Sequence, residues 1–146
     1  QLKSKNYRKM NREIKFRGFS PDLNKWVYGS LHKPFDDVTQ IIQRIPSNAS
    51  QMTLVVNGSE GQFIGCKDLN GIDIFRGDIV IKKGKKYIIE YNYLHMSWGL
   101  YTKSGQSNED IVCDICNKYG NAPIAWMCSS ISVIGNSFEN QELLQP

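Results

Sequence analysis

The sequence predicts a mainly β protein: a small barrel or sandwich of short antiparallel strands with one short helix near residues 108–119. Three observations predict it. Runs of four to eight residues rich in Val, Ile, Tyr, Phe and Trp alternate apolar with polar positions, Gly and Asn turns separate those runs, and a single stretch carries helical spacing. With 146 residues and 40% apolar composition the chain can bury one core, so a single domain over 10–146 is expected, or two small β lobes at about 10–61 and 62–146.

The first hairpin is "EIKFRGFSPDLNKWVYGSL". Ile14, Phe16 and Phe19 mark a strand, Pro21 to Asn24 a turn, and Trp26-Val27-Tyr28 the return strand. Pro34 with Asp36-Asp37 makes residues 33–37 a connection. "VTQIIQRI" and "SQMTLVVNG" read as strands with Pro46-Ser47-Asn48 between them. Phe63 to Cys66 then ends a strand.

The stretch "GCKDLNGIDIFRGDIV" at 65–80 is rich in turn formers. Asn70 and Gly71 supply positive φ without steric cost. Gly77 and Asp78 bend the chain into Ile79-Val80-Ile81, a run suited to a strand covered on both faces. Asn70, Gly71, Gly77 and Asp78 are therefore read as structural turn residues in preference to a ligand loop. "DLNKWVYG" at 22–29 weakly resembles "DLNGIDIFRG" at 68–77, and is taken as a second use of one hairpin type.

Gly84 turns the next hairpin inside "KKGKK", which returns through "YIIEYNY" with Tyr87, Ile89 and Tyr91 on one face. A strand over Ser97–Thr102 follows. In "SNEDIVCDICNKYG", Ser107 and Asp110 have capping-box spacing and Gly120 suits the position past the helix end, which predicts the helix. After Pro123 a strand through Val133-Ile134 and a short terminal segment close the chain.

The net charge of +4 is unevenly placed. Four of the 18 basic residues lie in the first nine positions, so the other 14 balance the 14 acidic residues. Residues 1–9 read as a basic head, disordered or an expression remnant ahead of Met10, and stand outside the fold reasoning. No apolar stretch approaches the roughly 20 residues of a membrane helix, so no membrane association is expected and the cytoplasm is the expected location. Four irregularly spaced cysteines without a secretion signal then read as reduced thiols.

Candidate chemistries are few. Cys113 and Cys116 form the sharpest motif and could join Cys66 and Cys128 in a zinc site, but Cys116 also falls on the apolar helix face, where a thiol packs as a small hydrophobe. No cofactor is expected. His32 and His95 lack partner motifs for nucleophilic catalysis, and the glycines at 77 and 84 are too far apart for a phosphate loop. The remaining chemical candidate is nucleic-acid binding by the cationic tip Lys82, Lys83, Lys85 and Lys86 with Tyr87 and Tyr91. A solvated turn guarding a strand edge is the competing reading, and the neutral body favours it.

"REIKFRGF", "GCKDLNGIDIFRGDIV" and "VIGNSFENQELL", in that order over residues 12–144, resemble the YopX family of phage and prophage proteins of bacteria. Departures fall at Ile72-Asp73-Ile74-Phe75, where the family has a more polar turn, and at Gln141, where proline is commoner. Residues 104–128 match no part of the pattern. The resemblance implies a phage-associated, bacterial protein of unassigned biochemistry and no catalytic residues, and it implies a homo-oligomer. Together these readings predict a non-catalytic binding or self-assembling β module with itself or another protein as partner, nucleic-acid binding being the alternative and an enzyme the third choice.

Overall fold

A computed structural model describes residues 13–93, 96–102 and 128–145. Among them the chain forms ten strands in two antiparallel sheets. The first sheet has the order β4-β3-β2-β1-β5-β6 and the second β10-β7-β8-β9. The arrangement is sandwich-like, and neither sheet closes into a barrel.

β1 (Phe16–Ser20) and β2 (Lys25–Phe35) form the first hairpin, with Phe16 opposite Gly29 and Ser20 opposite Lys25. Asn24 takes φ 49° in its turn, a left-handed value that Asn tolerates. β2 runs through Pro34 instead of ending at the expected 33–37 connection. A register shift between His32 and Phe35 accommodates the missing ladder donor, as bulged strands permit.

β3 (Val38–Arg44) and β4 (Ser50–Val55) continue the meander. The sheet curls so that Val56 N–H donates to the Phe19 carbonyl at 2.9 Å, bringing Val55 onto Gly18, where an added Cβ would lie 2.7 Å from it. Val27, Ile41 and Val55 fill this curl as a small core with Phe16 and Leu31 packed against it.

β5 (Gly61–Lys67) pairs with β1 and with the short β6 (Asp73–Phe75), so a lobe boundary near 61/62 would fall within the first sheet. Ile64 and Ile74 nevertheless belong to the larger core, shared with Val80, Ile89, Leu100 and Ile131 of the second sheet and its approach. That sheet comprises β7 (Asp78–Lys82), β8 (Lys85–Asn92), β9 (Ser97–Tyr101) and β10 (Ser132–Asn136). Ile79 and Val80 are both fully buried, so β7 is covered on both faces. A 3-10 turn at Gln141–Leu144 follows β10. The expected helix at 108–119 lies outside the described residues, as do Cys113, Cys116 and His95.

The chain crosses from one sheet to the other at Arg76-Gly77. Arg76 N–H donates to Gln62 O in β5 and Gly77 N–H donates to Ile89 O in β8, both at 2.8 Å. Gly77 has φ +83°, and Ser137 N–H closes on its carbonyl at 2.8 Å. Gly77→Val is expected to cost about 1–3 kcal/mol, because it forces a β-branched residue into a sparsely allowed conformation. An unchanged thermal midpoint would contradict this account of the crossing.

Cys66 and Cys128 are joined in a disulfide across 62 residues of sequence, with Cα atoms 6.4 Å apart. This corrects the reading of all four cysteines as reduced thiols and removes two sulfurs from the four-cysteine zinc alternative. The cause is tertiary. The turn after β5 is fastened to β10 by Leu69 N–H to Ile131 O and Val133 N–H to Asp68 Oδ2, which draws the two sulfurs together.

Candidate binding cleft

Two buried carboxylates hold the sheets in register. Asp68 Oδ1 accepts from Asn70 and Ile72 N–H at 2.8 and 2.9 Å, while Oδ2 takes Val133 N–H of β10. Gly71 has φ +78° in this turn, and the Asn70 amide donates to Ser132 Oγ at 3.0 Å. Asp78 is 1% exposed and accepts from Arg17 of β1 at 2.6 Å and from Phe75 N–H at 2.8 Å. Arg17 lies over the rings of Trp26 and Phe75, 4.7 and 4.9 Å from their centroids.

Such a close ion pair ordinarily lowers a carboxyl pKa, yet burial outweighs Arg17 here and Asp78 titrates above its usual value. Of the four turn residues singled out in the sequence, Asn70 and Gly71 lie in the β5–β6 turn, Gly77 at the crossing between the sheets and Asp78 at the first position of β7.

The residues of the expected cationic site are spread along one hairpin. Lys83 (φ 48°) and Gly84 (φ 77°) form the tight turn between β7 and β8, and Lys82 opposes Lys85. Lys83, Lys85 and Lys86 are exposed. Tyr87 is 8% exposed and belongs to the core, with Lys85 Nζ 5.5 Å from its ring centroid. Tyr91 lies six residues from Lys85, about 20 Å along the strand at ~3.3 Å per residue. Its neighbours are Tyr93 and Trp98, each in edge contact at 5.2 Å.

These rings open a different site. A cleft of about 570 Å³ lies between the sheets. Phe16, Leu31 and Lys33 of the first sheet line one side, with Glu60 and Gln62 at the start of β5; Glu90, Tyr91, Tyr93 and Trp98 line the other, with Arg76 at the crossing. Its charges are paired. Lys33 donates to Glu60 Oε1 at 2.6 Å, Gly58 N–H donates to Glu60 Oε2 at 2.7 Å, and Arg76 Nε donates to Glu90 Oε2 at 2.8 Å. A smaller space of about 150 Å³ beside it shares Glu60, Arg76 and Glu90 and reaches Arg17, Ser59 and Ser137.

Burial raises the Glu60 carboxyl, but the Lys33 bond and the backbone donors overcome it and hold the group below its ordinary 4.5. Asp73 behaves alike: burial opposes, Lys15 and Lys67 prevail, and its carboxyl stays below 3.8. Both contribute stability above their ordinary values that is lost as pH falls through the folded ones. Asp78, raised, has the opposite sign: its contribution is present below 3.8 and lost as pH rises through its folded value. Thermal midpoints are therefore expected to fall on acidification below about pH 4.5, less steeply in Glu60→Gln. A Glu60→Gln profile parallel to the parent would refute the assignment to Glu60.

The sequence marked Tyr91 and the aromatic run around it but not Lys33, Glu60, Arg76 or Glu90. The two ion pairs span 27 and 14 residues, so no local spacing announces them. Among the described residues no group of three or more His, Cys, Asp or Glu could hold a metal, and no helix is long and apolar enough to cross a membrane. His32 is exposed and pairs with the Gln40 side chain at 3.0 Å.

Among the described residues, fold and site define a two-sheet, mainly β protein with a charge-balanced aromatic cleft at the sheet junction. The chain belongs to the YopX family, whose model, described as YopX protein, matches residues 15–145. Among solved structures, the crystal structure of protein EF1440 from Enterococcus faecalis is similar at 22% identity, covering 92% of this chain and 100% of that one with a TM-score of 0.45. No curated protein sequence matches the chain.

Proposed function

We propose that this YopX-family chain is a non-catalytic binding module of phage or prophage origin, acting in a bacterial cytoplasm as a homo-oligomer and seating its ligand in the cleft between the sheets. The observation that carries the reading is the convergence of Phe16, Tyr91, Tyr93 and Trp98 with two ion pairs around one space of about 570 Å³. Concave sites with apolar walls and a few placed polar groups are the usual form of small-ligand sites. On the cytoplasmic reading the Cys66–Cys128 bond would be open to reduction in the cell, and alkylation of freshly lysed cells measures that directly.

The exposed lysines at the β7–β8 turn favour a second reading, nucleic-acid binding. Size-exclusion chromatography with light scattering, with and without single-stranded and duplex oligonucleotides, separates the two. A discrete oligomer that ignores the oligonucleotides supports the first. Co-elution that disappears when Lys82, Lys83, Lys85 and Lys86 all become Ala would replace it with the second.

A further inference from the structure

Trp98 carries a buried indole Nε1 with no hydrogen-bond partner among the described residues. Trp26, by contrast, donates its indole N–H to Glu139 at 3.0 Å. A buried indole N–H ordinarily finds an acceptor, and Trp98 forms part of the cleft wall. Trp98 thus brings its ring to the cleft wall while its Nε1 is shielded from solvent, so the indole N–H reports on the cleft without being one of its exposed donors.

The cleft's charged groups narrow the chemistry. Lys33–Glu60 and Arg76–Glu90 each neutralise themselves. An anionic ligand would have to compete with a glutamate for each cation, and a cationic ligand with a lysine or arginine for each anion. An uncharged ligand displaces nothing. Each pair also presents a donor and an acceptor side by side, 2.6 and 2.8 Å apart, and all four side chains keep some exposure. A hydroxyl both donates and accepts, so two adjacent hydroxyls match one such pair, with charge-assisted bonds on each side. Tyr93 and Trp98 add aromatic surface to the cleft wall, and an aromatic ring suits the C–H surface of a saturated ring.

We propose that the cleft binds an uncharged sugar ring through its vicinal hydroxyls, with Glu60 and Glu90 as acceptors, Lys33 and Arg76 as donors and Trp98 as the ring platform. This rests on the cleft being a ligand seat, and the test keeps the two apart.

The readout is the Trp98 indole N–H resonance of the full ¹⁵N-labelled chain, assigned by its loss in Trp98→Phe. Probes are maltotriose, lactose and N,N′-diacetylchitobiose as sugars, adenosine and 2′-deoxyadenosine as nucleosides, and adenosine monophosphate and indole as controls. The expected result is a saturable shift with at least one neutral sugar, weakened at least tenfold in Glu90→Gln and in Glu60→Gln. Because Trp98 also packs against the larger core, the two Gln variants carry the test if Trp98→Phe fails to fold.

A shift with adenosine but not with 2′-deoxyadenosine or the sugars would assign the diol to a ribose and overturn the free-sugar proposal. Shifts with indole or the monophosphate alone would overturn the diol chemistry and leave the cleft as a ligand seat. Silence from every probe would end both.

Discussion

Asp78→Ala is expected to destabilise the protein by about 3–5 kcal/mol, the range for breaking a buried ion pair from one side. Arg17 would remain in place, its side chain 11% exposed and stripped of its counter-charge, and Phe75 N–H would lose its acceptor. Since whole domains are stable by only about 5–15 kcal/mol, urea denaturation should show a large drop in midpoint. Asp78→Asn should cost less, because an amide oxygen can still take the Phe75 N–H. Replacing both partners, Arg17→Met with Asp78→Ala, should recover part of the loss, because no unpaired charge then stays buried. An Asp78→Ala midpoint equal to that of the parent would show that the pair does not tie the sheets together.

That aspartate also shows how far the sequence could be read. Gly77-Asp78 was legible as a bend before a buried strand, because Gly followed by an apolar run is a local signal. The reason for an aspartate there was not legible, because its partner Arg17 lies 61 residues earlier. The same division runs through the molecule. Most strands follow from alternation and turn residues and β7 from an unbroken apolar run, while the splitting into two sheets depends on which strands pair. β6 joining the first sheet and β7 the second turns on one residue, Gly77. Pro34 misled for the same reason, since a bulge was needed to keep it in β2.

The cleft was legible only in its rings. Tyr91, Tyr93 and Trp98 are close in sequence and meet across the β8–β9 ladder, where Tyr91 opposes Trp98. Lys33, Glu60, Arg76 and Glu90 come from both sheets and carried no spacing to find. The Lys82–Lys86 tip showed the reverse: its sequence signal was strong because lysines cluster around a turn, but alternation buries Tyr87 and places Tyr91 far along the strand. Lys85 still reaches the Tyr87 ring, 5.5 Å from its centroid.

Asp68→Ala is expected to cost about 3 kcal/mol, and the self-similar turn at 22–29 supplies its control. Asp68 is 5% exposed and accepts three backbone N–H groups, from Asn70, Ile72 and Val133. Each donor left unpaired in a buried setting costs about 1–3 kcal/mol, less where water can reach it. Asn70 and Ile72 are exposed and can be rehydrated, so the loss of Val133 should dominate. Asp22 opens the matching "DLN" but is exposed, and there Ser20 Oγ accepts Leu23 N–H at 3.3 Å. Asp22→Ala should therefore change stability by no more than about 0.5 kcal/mol.

Hydrogen exchange adds a positional check: in Asp68→Ala, protection should fall first at Val133 and Leu69, where the turn is fastened to β10, and persist at Ile89 in the centre of the second sheet. Equal losses from the two aspartates would mean that the turns do the same work and that the anchoring of β10 lies elsewhere. Unequal losses in the stated order would mean that one local hairpin signal serves two ends: a solvent-facing turn at 22–24, and at 68–71 the clasp that brings β10 onto β7 and Cys128 to Cys66.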